Sequence, residues 1–376
     1  MTVAAFDEYV ADFTEEPGFL NFARIAPIGR KVRAEESAQS ALLARARFGT
    51  IDSLGDQDLR LREAVGELIG FPPDQVVFQP NTGTGLMHVM FGITGGVALS
   101  PAEFPAVTFA VERAETALHS LSPVWLETDH GRVTPGNIRD QLSSSVVAVA
   151  VSLVDFRTGF LADLEGIRQV IGDRLLIVDA AQGFAAVDAP FEVADVVVAP
   201  GHKWTRAGAG TGFLALSERA VEHLTPVFSG FVGTDADGMP MDEVLPPARS
   251  ARAFQISYPD PVAETRLAAA VEAVNSVGIK AINDSIASKV TAIIDLADEF
   301  GIPVTSPRAE SERAGIVVIE PANGQLTVFA ASLHNHGVSV TVRDGSVRLS
   351  AHVSTDDETL AMLRASFISF TAAVEP

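Results

Sequence analysis

Cysteine is absent from this 376-residue chain. Without a thiol there is no disulfide, no thiolate metal site and no cysteine nucleophile. Basic residues are scarce as well: 27 Lys and Arg stand against 48 Asp and Glu, a net charge of −21. Such an excess of acid repels phosphate backbones and anionic headgroups, which argues against nucleic acid and membrane as partners. The opening residues, MTVAAFDEYVADF, lack the basic-then-apolar order of a secretory signal. No run reaches the roughly 20 apolar residues of a membrane span. The expectation is a soluble, cytoplasmic protein.

What is present is apolar and periodic. The chain is 47% hydrophobic, enough for one large and one smaller domain. Between residues 56 and 216, helical patterns alternate with short apolar runs. QVVFQP, GGVALSP, SPVWLET, VVAVAVSLV, RLLIVD and ADVVVAP read as strands, and GLMHVMFGIT, VTFAVERAETALHS and DLEGIRQVIG as helices. Thr134 before Pro135 predicts a helix start in VTPGNIRDQLS. Runs that are apolar throughout suit strands covered on both faces. The alternation predicts an α/β fold with a mainly parallel central sheet and helices on both faces. GTGFLALS follows a loop rather than a helix, which allows one antiparallel strand. From about residue 245 the pattern becomes α+β. The domains are therefore expected as an N-terminal segment (1–30) packing with the small domain, a large domain (31–244) and a small C-terminal domain (245–376).

Ligands in open α/β sheets bind beyond the carboxyl ends of the strands. Four such ends carry polar residues here: NTGTG, LVDFRTG, DAAQG and GHKW. NTGTG (81–85) offers backbone N–H groups at a helix start, suited to a phosphate, although alone it reads as a glycine-rich turn. It lacks the Walker lysine. Asp179 ends an apolar strand, where a carboxylate is costly without a cationic or hydrogen-bonding partner. By itself it could simply order the next turn. Lys203 follows 24 residues later, at the end of the next strand, flanked by His202 and Trp204. An amine in a cavity has a lowered pKa and can form a Schiff base. GAGTG (208–212) precedes a strand, the wrong context for a dinucleotide fingerprint. Arg348 could bind a carboxylate bidentately. His352, on the same extended segment, reads as structural.

Together, Asp179-Ala-Ala-Gln182, His202-Lys203-Trp204, GTGFLAL and VRLSAHVSTDDE resemble class V of the pyridoxal-phosphate aminotransferases. That group includes cysteine desulfurases, kynureninases and isopenicillin-epimerase-like proteins. The likeness runs from GFLNFARIAPIG to RLSAHVSTDDE. It implies a fold-type-I enzyme that uses pyridoxal 5′-phosphate (PLP). Lys203 would hold the cofactor as a Schiff base and shuttle the α-proton. Asp179 would pair with the pyridine nitrogen, Gln182 would bond the phenolic oxygen, and Phe104 would stack on the ring. Thr82, Gly83 and His202 would hold the phosphate. Arg348 would grip the substrate α-carboxylate, with Asn21 as a second substrate-binding residue. A homodimer with the site at its interface is also implied, Tyr258 reaching the neighbouring subunit's phosphate.

Departures from the family pattern bear on the chemistry. No cysteine exists to carry sulfur, so a persulfide desulfurase in its usual form is excluded. Pro200 stands where a Ser or Thr often contacts the phosphate. Leu153 replaces a frequent His, Val107 replaces the kynureninase Asp, and SYP (257–259) replaces GTP. The resulting expectation is an enzyme acting at or near Cα of an amino acid, by transamination or by C–S or C–C lyase chemistry. The alternatives are an epimerase-like member or a non-catalytic homologue that serves as a dimeric binding protein. Pro200 and Leu153 favour the non-catalytic reading; Asp179, Gln182 and Lys203 oppose it.

Overall fold

The computed structural model describes residues 3–45, 47–236, 242–343 and 345–374. Seven strands form the central sheet: β1 (Val76–Phe78), β2 (Gly95–Leu99), β3 (Leu121–Trp125), β4 (Val146–Ser152), β5 (Leu175–Asp179), β6 (Val196–Pro200) and β7 (Gly212–Leu216). Their order is β1-β7-β6-β5-β4-β2-β3. Strand β7 runs antiparallel to both β6 and β1, and every other pairing is parallel. The reversal follows from the short β6–β7 loop, which has no crossover helix to carry the chain back. The carboxyl ends of β1, β4, β5 and β6 therefore share one rim, as the sequence pattern predicts.

The sheet is covered on both faces, and β4 shows how its residues divide. Val149 and Val151 enter one apolar cluster, while Ala148 and Ala150 enter the other. Side chains of a strand alternate between faces, so an unbroken apolar run is what two cores require. Helices Thr82–Gly92 and Pro105–Leu118 pack on one side. Helices Asp56–Ile69, Leu164–Ile171 and Pro261–Val277 pack on the other. The expected Thr134 cap is present as a full capping box on Pro135–Arg139.

A second, antiparallel sheet has the order β8-β10-β9, with β8 (Ile316–Ile319), β9 (Thr341–Arg343) and β10 (Ser346–Ser350). Helices Leu326–Asn335, Asp357–Val374 and Ile279–Glu299 surround it. The last, 21 residues long, was not among the elements expected from sequence. Gly278, at φ +88°, separates it from Pro261–Val277. That conformation stops one helix and lets the next begin at once.

The segment around residue 20 links the two sheets. Leu20 N–H donates to Ser339 O (2.9 Å), and Ser350 N–H donates to Leu20 O (2.8 Å). A few residues on, Ala26 N–H donates to His202 O (2.9 Å). This short stretch thus joins the second sheet to the loop that carries Lys203.

Candidate active site

Beyond Pro200 the chain must turn sharply, and Gly201 permits it. A Cβ there would stand 2.3 Å from Thr211 Oγ1 and 3.0 Å from the Ala207 Cβ. Gly201 N–H donates to Thr211 O, and Gly201 O accepts from Ala207 N–H and Thr205 Oγ1, all at 2.7 Å. Two large side chains then anchor the loop. Trp204 is buried and donates from Nε1 to Gln182 Oε1 at 3.2 Å. Arg206, at φ +61°, buries its guanidinium in an ion pair with Glu15. It also donates to Pro27 O (2.7 Å) and Ser354 Oγ (3.0 Å), and lies 3.9 Å from the Phe13 ring centre.

So held, Lys203 points into a cavity of about 470 Å³. Asp179, Gln182, His202, Thr82, Gly83, Phe104 and Arg348 line the same cavity, bringing eight of the ten expected site residues together. Burial lowers the Lys203 amine to about 8, opposed by the negative charge of Asp179 and helped by Arg348 and Arg343. Asp179 is raised by burial, against an Ala181 N–H bond (2.9 Å) and the Lys203 charge. Burial and the Lys203 charge bring His202 down to about 4, so its ring is neutral at pH 7. Lys203 Nζ lies 5.6 Å from the centre of the Phe104 ring.

Gln182 is oriented by its neighbours. Its oxygen accepts from Trp204, and its nitrogen donates to Ala23 O at 2.9 Å. A carboxamide nitrogen carries two donors, so one remains. The N–H groups of Thr82 and Gly83 lie in the first turn of Thr82–Gly92, where helix geometry supplies no acceptor. Asn81 caps that turn by accepting from Thr84 N–H at 2.9 Å. Arg348, only 3% exposed, donates to Phe156 O at 3.0 Å. Its Nε is buried and bonds to nothing among the described residues. Burial, with Arg343 and Arg24 nearby, lowers it to about 10.

Two expected residues lie elsewhere. Asn21 is committed to the second sheet: its oxygen accepts from Thr341 Oγ1 (2.6 Å) and its nitrogen donates to Val340 O (3.3 Å). It supports the wall of the cavity without lining it. Tyr258 is 68% exposed, edge-on to Phe231 at 5.4 Å, and lines an adjoining cavity with Thr84 and His88. It does not reach the Lys203 cavity of its own chain. His352 follows the end of β10 rather than sharing its face, and stacks on Phe22 at 5.0 Å. That burial matches a structural role.

The departures from the family pattern are also placed. Pro200 lines the cavity and brings it no hydroxyl. Val107 faces the core behind helix Pro105–Leu118. Leu153 donates its N–H to Asp179 O (2.9 Å) and crowds Gly183, where a Cβ would lie 2.5 Å from Leu153 Cδ2.

Sequence reading missed Thr341, Arg343 and Arg24, which also line the cavity. No local pattern marks which residues of β9 front a distant strand end. It also missed Glu103, a buried carboxyl raised to about 8 by burial and by the charge of Asp179, though its bonds to Ser152 oppose the rise. Glu103 accepts from Ser152 Oγ (2.5 Å) and Ser152 N–H (3.1 Å). Among the described residues, no group of His, Asp and Glu could hold a metal ion.

Comparison with known proteins identifies the family and the fold. The profile of the family described as "Aminotransferase class-V" matches residues 54–375. The chain belongs to that family. An uncharacterized aminotransferase of Bacillus subtilis is 24% identical over 335 residues, covering 84% of this chain and 87% of that protein. A kynureninase of Deinococcus radiodurans is 29% identical over 196 residues, covering 50% of this chain and 48% of its own length. Among solved structures, the apo cysteine desulfurase of Thermococcus onnurineus superposes with a TM-score of 0.83 at 21% identity, over 95% of this chain and 96% of that one. The cystine C-S lyase C-DES, in complex with its product cysteine persulfide, gives 0.84 at 17% identity, over 94% and 97%. These likenesses establish the PLP-enzyme fold for the class-V chain. Among its described residues, no helix is long and apolar enough to cross a membrane.

Proposed function

We propose that this class-V chain is a PLP-dependent enzyme acting at or near Cα of an amino acid, by transamination or by C–S or C–C lyase chemistry. The observation that carries the reading is the buried Lys203 amine sharing one cavity with Asp179, Gln182 and the start of helix Thr82–Gly92.

The donor set fits PLP. A buried carboxylate such as Asp179 needs a cation, and a protonated pyridine nitrogen is one. The free donor of Gln182 suits a ring oxygen. The helix start, with Thr82, Gly83 and neutral His202, suits a phosphate. Phe104 offers a ring face. When bound, PLP supplies an electron-withdrawing ring that stabilises negative charge developing at the substrate Cα.

The chain's own residues supply binding, orientation and proton transfer. With its amine near 8, Lys203 is partly neutral at physiological pH and can act as a nucleophile. The same Nζ can take and return a proton at Cα. Asp179 keeps the ring nitrogen protonated, and Arg348 orients the α-carboxylate by a charge-assisted bond. The absence of cysteine leaves no residue to accept sulfur, so persulfide desulfuration is not part of this proposal. The same reading makes the chain half of a homodimer, with Tyr258 facing the neighbouring subunit, and keeps the division at residues 30 and 244.

The test is spectroscopic. PLP added to purified protein should give a visible absorption band that shifts when a substrate amino acid is added. Lys203→Ala should lack the band of bound cofactor. A wild-type protein that retains no band once unbound PLP has been removed would refute the reading.

A further inference from the structure

Arg348, Arg343 and Arg24 all line the Lys203 cavity, and none forms an ion pair among the described residues. This is unusual in a chain of net charge −21, where acids are plentiful. Guanidinium groups gathered without counter-ions repel one another, and burial adds to the cost for Arg348, which is buried, and Arg343, which is half-buried, while Arg24 is exposed. Arg343 is lowered by burial and by Arg157, though Asp155 opposes this.

Beyond Arg343 and Arg348 the site opens into a wider cavity of about 1100 Å³, where Arg132 and Arg157 add to the positive wall. Arg157 is answered by Asp155 at 3.4 Å, and Glu320, the carboxylate on that wall, pairs with no cation among the described residues. Aromatic rings set the spacing. Phe104 meets Phe156 edge-on at 5.1 Å, and the Arg343 guanidinium lies 4.7 Å from the Phe156 ring centre. Arg343 shares the Lys203 cavity and reaches the amine through a chain of two ring contacts, Phe156 and then Phe104. One α-carboxylate can satisfy Arg348, whose Nε is unbonded. It leaves the half-buried Arg343 unanswered.

We propose that the substrate is an amino acid with an anionic side chain, its α-carboxylate on Arg348 and its side-chain anion on Arg343. The inference rests on the reading of Lys203 as the cofactor lysine. A carboxylate and a phosphate share the relevant chemistry, and the test separates them.

PLP-loaded protein is titrated with three pairs of nearly equal shape: glutamate and glutamine, aspartate and asparagine, O-phosphoserine and serine. Half-saturation is read from the absorption shift and, independently, from the heat of binding. At least one acidic member should bind on the order of tenfold more tightly than its neutral counterpart. The pair that shows this identifies carboxylate or phosphate. Arg343→Gln should remove the preference, while Arg113→Gln, on an exposed helix face, should keep it. Equal binding within every pair, no binding of any acidic member, or equal weakening of both members by Arg343→Gln would overturn the proposal. PLP uptake is read before any amino acid is added. Absence of that band fails the cofactor reading, whereas a band without acidic preference fails this one.

Discussion

Lys203 owes its chemistry to residues that crowd it rather than to its own sequence neighbours. Burial brings the amine to about 8, and the one carboxylate opposing that fall is Asp179. Replacing Asp179 with Asn keeps the shape and removes the charge. The expected result is retained PLP uptake with amino-acid turnover lowered on the order of a hundredfold, read by steady-state assay once a substrate is found. Arg206 is a different case, a buried cation that fixes the loop. Arg206→Gln would strand Glu15 without its guanidinium and should cost about 3–5 kcal/mol in denaturant unfolding. At this scale Lys203, Asp179 and Gln182 were readable because each ends or follows an apolar strand. Thr341, Arg343 and Arg24 were not, because their place in the cavity depends on how the second sheet docks.

The elements that deliver these residues are simple, and their close fits are testable. Gly315 approaches the Trp204 ring so tightly that a Cβ would lie 2.5 Å from Cη2 and 2.7 Å from Cζ3. Gly315→Ala should therefore destabilise by about 1–3 kcal/mol. Emission from the buried Trp204 should change with it, whereas Trp125, 40% exposed, should not respond. The strands of the large sheet were legible because both faces are covered, which leaves no polar alternation to confuse the reading. The reversed β7 was legible from the short loop before it. Helix Ile279–Glu299 was overlooked although Ile282, Ile286, Val290, Ile293 and Ala297 recur at helical spacing. The glycine that separates it from the preceding helix broke the pattern there. Asn21 was read as lining the site, but its hydrogen bonds to Thr341 and Val340 hold it in the wall: motif position says nothing about which cavity a side chain enters.

For the whole molecule, buried acids tie stability to pH. Glu264 is 2% exposed, and burial, with the charges of Asp58 and Asp260, raises it to about 8 from 4.5. Between those values the folded chain holds a proton that the unfolded chain has lost, so stability falls as pH rises. The slope from this group approaches about 1.4 kcal/mol per pH unit. Glu264→Gln should thus gain on wild type as pH climbs from 5 to 8, seen in thermal melts across that range. A constant difference would contradict it. The exposed Phe109 (58%), Ile256 (53%) and Tyr258 (68%) suit burial by a second copy, and sedimentation of the PLP-loaded protein should show a dimer. The central claim is tested most directly by the mass of the peptide containing Lys203, after PLP is added and the protein is reduced with borohydride. The account predicts a single pyridoxyl-phosphate adduct on Lys203. An unmodified Lys203, or an adduct on another lysine, would contradict it.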